Sequence, residues 1–363
     1  RALGPSSSLP ESEIRVAALS ASRRYRPAPP QPGLRLLCFD DGGARGLSML
    51  LILRNILQDA EQLSRSHILP CEYFDLIAGS GSGGLIALLL GRLRLSMDHA
   101  IDCHSRIVER VFLRIKGGNF KASAFEEVLK EISNRFGDGE DSQLIGSRGP
   151  CCKTFVCARE DNDGVVSQRR LRTYAHTSER PSCGTLIEAV RATMGNPVFF
   201  QPLTITHDGG ILGTFLDAGD DHYNPIFDLY EEAMFLFPSR DVAYIVSLGA
   251  GTPSTLDMSP PGFLHQPRLP ESFMSTMQHL ASRCDAISGA FKRDNPELGR
   301  IYYRFTHDQG SVDGKMARWE QVSTLRESLR SYIVAEDAQA YGLSRTIAHE
   351  RDLAIAAASR RSR

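Results

Sequence analysis

Residues 74–91 read FDLIAGSGSGGLIALLLG, and this stretch constrains the fold more than any other. An apolar run enters a knot of glycine and serine, and a second apolar run leaves it. A buried strand entering a tight turn that opens directly into a helix has this pattern. The same grammar comes just before it. LRLLCF at 34–39 reads as a buried strand, DDGGARG at 40–46 as a turn, and LSMLLILRNILQDAEQL at 47–63 as an apolar helix. Two strand-turn-helix units in succession specify a parallel sheet covered by helices.

The rest of the chain extends this reading. YFDLIA is the second strand, and Leu85–Arg92 continues the helix after the knot. Helices are expected near 97–113 and 123–134, the latter with Ser123 and Glu126 as a capping box. KTFVCARE and VVSQRRLRTYA form a strand pair about the turn Asn162-Asp163-Gly164. TLIEAVRATM is helical and ends at Gly195-Asn196-Pro197. PLTI, TFLDAG, DVAYIVSLGAG and IYYRF are strands, with helices near 225–235, 271–291 and 318–358 and a loop over 253–270. The division expected is a flexible segment over 1–33 that is rich in Ser, Pro, Ala and Arg, one domain over 34–350, and a tail over 351–363.

Bulk properties exclude some partners. With 42 basic and 43 acidic residues the formal charge is −1, so no global field recruits nucleic acid or an anionic membrane. There is one Trp, and no aromatic-basic interleaving suggests base stacking. The eight cysteines include no CxxC pair, and several lie inside apolar runs; they read as buried, reduced thiols of a cytoplasmic protein. The longest apolar run, LIALLLG, is too short to span a bilayer.

The knot has two chemical readings. Gly79, Gly81 and Gly84 satisfy G-x-G-x-x-G, the phosphate cradle of a dinucleotide site. That fingerprint belongs after the first strand, and here the acids some 20 residues on, Asp98 and Asp102, fall in a helical pattern instead of ending a strand. The second reading is a nucleophile elbow, G-x-S-x-G at a strand-to-helix turn. With Gly79 and Gly83 as the outer glycines, the central residue is Gly81. A frame centred on Ser82 puts Ser80 at the first glycine position.

In order along the chain, Asp40-Asp41-Gly42-Gly43-Ala44-Arg45-Gly46, Gly79 to Gly84, and Asp217-Ala218-Gly219 resemble the D-G-G-G-x-R-G, G-T-S-T-G-G and D-G/A-G motifs of patatin-like lipid acyl hydrolases of the fungal type. Glu188 to Thr193, Asn224-Pro225 and Ser247 to Thr252 support the similarity, which covers about 34–345. The resemblance implies a three-layer α/β/α fold with a mostly parallel central sheet. It implies a serine on the elbow activated by an aspartate at the position of Asp217, with backbone N–H groups of the first glycine loop (Gly42, Gly43, Arg45) holding the oxyanion. It implies no cofactor and no metal. The partner it implies is a hydrophobic small molecule or lipid, with at most peripheral membrane contact.

Three departures follow. The serine position is Gly81, the second position of the oxyanion loop is Asp41 where the family has glycine, and Asp217-Ala218-Gly219 is followed by Asp220-Asp221-His222-Tyr223. An acid at 41 opposes a developing negative charge in the loop. Ser80 should face away from the cleft, and Ser82 at the helix start has a capping hydroxyl as its plain reading. The expectation is a carboxylate-lined cleft: Asp41 and Asp217, with Asp220, Asp221 and His222 as further candidates. Crowded carboxylates raise one another's pKa and can run acid–base chemistry, such as cyclisation, dehydration or isomerisation of an apolar substrate. The competing readings are a catalytically dead chain that binds a lipid or acyl ligand, residual phospholipase activity through Ser82, and a magnesium site at Asp220-Asp221-x-x-Asn224. Asp40 reads as a cap on its own turn, and Arg191 as a buried ion-pair partner.

Overall fold

The computed structural model describes residues 32–112, 119–146, 152–176, 184–207, 210–251, 271–307 and 339–350. The expected flexible ends, apart from Pro32 and Gly33, the loop over 253–270 and most of the last helix lie outside these residues.

Strands β1 (Leu34–Phe39) and β2 (Leu76–Ser80) are paired in parallel, Leu36 opposite Leu76 and Phe39 opposite Gly79. Every residue of β2 is buried and β1 is buried at all but one position, so helices cover this part of the sheet on both faces. The helix after the first turn is α1 (Leu47–Ser64), and a short α2 (Pro70–Tyr73) takes Tyr73, the residue expected to begin the second strand. Helix α3 (Gly81–Ala87) starts on the knot itself and passes into a π-helical turn at Leu88–Arg92. The following helices are α4 (Met97–Ile107) and α5 (Ala122–Phe136).

The capping box expected at Ser123 and Glu126 does not form. Helix α5 begins one residue earlier, which places Ser123 inside its first turn, and Glu126 instead accepts a hydrogen bond from Arg191 Nε at 2.9 Å. A capping box forms on α6 (Leu186–Thr193), between Thr185 and Glu188.

The remaining strands are β3 (Lys153–Asn162), β4 (Val165–Arg172), β5 (Leu203–His207), β6 (Gly210–Leu216), β7 (Val242–Gly249) and β8 (Tyr302–Thr306), with α7 (Ile226–Leu236) before β7 and α8 (Glu271–Asp294) before β8. Among the described residues the sheet runs β5-β6-β3-β2-β1-β7-β8, with β4 paired to β3 off this path. The turn between β3 and β4 has positive φ at Asp163 and Gly164, as a tight hairpin requires. The β3/β4 hairpin is tied to α7 by ion pairs. Glu232 takes Arg172 Nε at 2.6 Å and Tyr174 hydroxyl at 2.7 Å, while Arg170 reaches Asp228 at 3.0 Å.

One strand positions the later aspartate. One edge of β3 is taken by β4, from Phe155 opposite Arg172 to Asn162 opposite Val165. The other edge is shared end to end. Strand β2 occupies it up to Ser80 opposite Cys157, and β6 occupies it from Leu216 opposite Arg159. Because β6 runs antiparallel to β3 and β2 runs parallel to it, the two neighbours meet head to head. The residue after β6 is Asp217 and the residue after β2 is Gly81, so the sheet brings together residues far apart in the chain.

The knot is close-packed backbone on backbone. A Cβ on Gly83 would lie 2.3 Å from the Asp40 carbonyl oxygen and 2.5 Å from that of Phe39, and one on Gly79 would lie 2.2 Å from the Gly83 carbonyl oxygen. These glycines let α3 sit directly on the end of β1. Gly83→Ala should therefore destabilise the protein by about 1–3 kcal/mol or more through overpacking. Gly342→Ala, where a Cβ meets nothing within 4 Å, should be neutral or stabilising. Urea unfolding of the two variants checks this, and equal stability would contradict the packing described.

Candidate functional site

The strand-to-helix turn has Gly81 at its tip with φ +52°, a conformation that side chains rarely adopt. Its N–H donates to Thr193 Oγ1 at 2.9 Å, and that hydroxyl donates to the Cys157 carbonyl at 2.7 Å, which fastens the turn to β3. A Cβ placed on Gly81 would lie 2.0 Å from Cγ of Asp41, 2.2 Å from its Oδ1 and 2.1 Å from its Oδ2. The space above the tip is filled by the Asp41 carboxyl group.

That carboxyl group is held on one oxygen. Oδ1 accepts the Gly43 N–H at 2.9 Å and the Ser82 N–H at 3.3 Å. The neighbouring Gly42 N–H goes to Ser82 Oγ at 3.0 Å. Of the three loop donors that the resemblance assigns to an oxyanion, Gly42 and Gly43 are thus taken by side chains of the chain itself, and the Arg45 N–H goes to the Gly42 carbonyl at 3.0 Å. Ser82 retains 1% of its surface, and its hydroxyl is turned to Gly42, not to its own helix as a cap. Ser80 points elsewhere, donating to the His222 carbonyl at 2.5 Å.

Burial pushes the Asp41 carboxyl up to about 7. The two N–H groups and Arg45 pull it down, and the nearby charge of Asp217 pushes it further up. Asp217, with 1% of its surface exposed, is saturated with donors. Oδ2 accepts Asn196 Nδ2 at 2.7 Å and the Tyr223 hydroxyl at 2.8 Å, and Oδ1 accepts Arg159 Nη2 at 2.5 Å and the Gly219 N–H at 3.2 Å. Arg159, Asn196 and Tyr223 come from three separate segments, and nothing in the sequence marks them as partners of Asp217. Asn196, expected as a plain turn residue, also caps the Val198 N–H at 3.0 Å.

Not every candidate reaches this cluster. Gly219 has φ +82° and turns the chain outward after Asp217. Asp220 then pairs with His279 at 3.2 Å and Asp221 with Arg283 at 2.7 Å, both at the exposed flank of α8. His222 Nδ1 lies 2.7 Å from Asp228 of α7. Asn224 bonds the Cys284 carbonyl at 3.2 Å and the Ile226 N–H at 3.1 Å, so Asp220, Asp221 and Asn224 face different neighbours. Asp40 does not cap its turn: it forms a two-pronged ion pair with Arg304, at 2.9 and 2.5 Å. Arg45 donates to the carbonyls of Gly251 and, at 3.1 Å, Met277. Arg191 is buried, as its position suggested, and pairs at 2.9 Å with the half-buried Glu126. Of the described cysteines, Cys38, Cys71, Cys103, Cys157 and Cys284 are buried and Cys152 half-buried, all unbridged.

The geometry defines a class. A strand-turn-helix elbow in a mixed, mostly parallel sheet flanked by helices faces an aspartate delivered by an antiparallel strand, with a glycine loop between them. This is the arrangement that the sequence resemblance implies. The chain belongs to the patatin-like phospholipase family, whose model matches residues 37–227. It is 26% identical over 237 residues to rabbit (Oryctolagus cuniculus) calcium-independent phospholipase A2-gamma, covering 60% of this chain and 28% of that protein. It is 28% identical over 249 residues to a probable inactive patatin-like protein 9 of Arabidopsis thaliana, covering 62% of each. Against a cUMP-AMP-activated phospholipase of Escherichia coli the identity is 23% over 319 residues, covering 84% of this chain and 92% of that one. The chain thus spans less than a third of the mammalian relative it matches. No helix of the described residues is long and apolar enough to cross a membrane.

Asp41 gives the site a pH signature. Its native pKa lies above the unfolded value, so the folded state binds the proton more tightly. The stability this contributes is full below about pH 4 and is lost as pH rises through about 7. Asp41→Asn removes the titration. Relative to the wild type, this variant should gain up to a few kcal/mol between pH 4 and pH 7, at about 1.4 kcal/mol per pH unit. Denaturant unfolding of both proteins across this range checks it, and parallel pH profiles would contradict it.

Proposed function

We propose that Gly81 occupies the nucleophile position of this patatin-like chain and that Asp41 has taken over the space of the missing side chain. Serine acyl hydrolysis is then replaced by carboxylate chemistry on a hydrophobic, lipid-type substrate. The observation that carries this reading is the Asp41 carboxyl group lying within 2.2 Å of where a Cβ at position 81 would be, with the loop N–H of Gly43 bound to it. The serine route lacks its oxygen at the tip, and its oxyanion donors are already occupied. Ser82 does not replace it, because its hydroxyl is buried and spent on Gly42.

Acid–base chemistry suits Asp41. A carboxyl group with a pKa of about 7 is present in both protonation states near neutrality, so it can give a proton or take one. One observation favours a second reading, a ligand-binding chain without catalysis. Asp217 has all its acceptor directions filled, which leaves it no lone pair for a second proton transfer. The Arabidopsis relative described as probably inactive fits that reading as well.

The wild type should leave a fluorescent butyrate ester uncleaved, and Ser82→Ala should change nothing. Hydrolysis that Ser82→Ala abolishes would overturn the reading. Gly81→Ser alone should destabilise the fold, because the new side chain meets the Asp41 carboxyl, and adding Asp41→Gly should relieve it. In a double-mutant cycle the coupling should be about 1–3 kcal/mol. Additive effects would show that positions 41 and 81 do not compete for one space. Asp41→Asn separates the two readings, since it abolishes conversion in an acid–base enzyme and leaves affinity intact in a binder.

A further inference from the structure

The two oxygens of Asp41 are not equivalent. Oδ1 takes both N–H donors, from Gly43 and Ser82. Oδ2 takes no hydrogen bond among the described residues, and it is not one of the polar atoms that the fold seals without a partner. Asp41 also lines a small, partly open cleft of about 10 Å³, shared with Asp40, Arg45, Cys284, Asp285 and Arg304. The chain therefore presents a carboxylate with one oxygen anchored by backbone amides and the other unbonded.

The geometry points to Asp41 as a nucleophile in its own right, attacking an electrophilic sp³ carbon, with a terminal epoxide as the substrate class. This rests on the reading that Asp41 has replaced the serine. The electrophile follows from leaving-group chemistry. Attack on an ester would give a tetrahedral adduct, from which carboxylate departs more readily than alkoxide, so the step reverses before an anhydride forms. Attack on an epoxide carbon gives a stable ester.

The step balances with water as the only co-reactant. An Oδ2 lone pair forms the new C–O bond, the ring C–O bond breaks, and its electron pair stays on the departing oxygen. That oxygen takes a proton from water and releases hydroxide. The product is an aspartyl ester bearing a neighbouring alcohol. Its carbonyl oxygen is Oδ1, already seated on the Gly43 and Ser82 N–H groups. Those donors would hold the negative charge when water adds to Cγ, and collapse of that adduct releases a diol and restores the acid. Activation of this water is the weak step, because Asp217 is saturated by Arg159, Asn196, Tyr223 and Gly219. The ester should accumulate.

The test incubates the full chain with styrene oxide and reads the intact mass. The expected result is a gain of one epoxide per chain, mapped to the peptide carrying Asp41 and released by hydroxylamine as an ester. Asp41→Asn, which keeps the side-chain shape, should lower labelling at least about tenfold, while Asp163→Asn, in the exposed β3/β4 turn, should leave it. A folded wild type without adduct, an adduct confined to cysteine, or labelling that survives Asp41→Asn would each overturn the proposal. The butyrate ester, assayed on the same preparation, keeps the two claims apart. Its cleavage sinks the replacement reading, whereas an uncleaved ester together with an unlabelled Asp41 sinks only the nucleophile.

Discussion

The arrangement depends on one shared edge of β3. Strand β2 uses the first half of that edge in parallel and β6 uses the second half antiparallel, and they stop two positions apart on β3, at Cys157 and Arg159. Each neighbour ends in the residue that matters, Gly81 after one and Asp217 after the other. No loop has to find this geometry, because ladder register imposes it. Arg159 belongs to the same device: its backbone N–H continues the ladder to the Asp217 carbonyl at 3.0 Å, and its guanidinium holds the carboxylate.

Within that frame, positions 41 and 81 compete for one space. The carboxyl group at 41 fits because position 81 has no side chain, and its charge is tolerable because amides already point there. The donors of Gly42 and Gly43 would otherwise be buried without partners, at a cost of about 1–3 kcal/mol each. Ser82 and Asp41 satisfy them from within. The loop therefore keeps its shape without any ligand.

The sequence made the scaffold legible because apolar runs punctuated by glycine leave few alternatives, and the two strand-turn-helix units lie where the pattern puts them. It also exposed the oddity at 41 and 81, since both fall inside recognisable motifs. Its failures share a cause. Ser123 with Glu126 has the spacing of a capping box, yet tertiary pairing with Arg191 claims the glutamate. Asp220 and Asp221 adjoin Asp217 in the chain, yet a left-handed Gly219 turns them toward His279 and Arg283 of α8. Arg159 and Asn196 reach Asp217 only through the folded chain, so no local pattern announces them.

The crowding at the tip also orders any stepwise exchange of its occupants. A serine at 81 and a carboxylate at 41 compete for the same space, so the least strained stepwise exchange of one for the other passes through a form with glycine at both places. That crossing form is vacant, not overfilled, and a vacancy close to a ready-made set of amides is hospitable to many newcomers. Aspartate is one occupant among those that such an opening could admit.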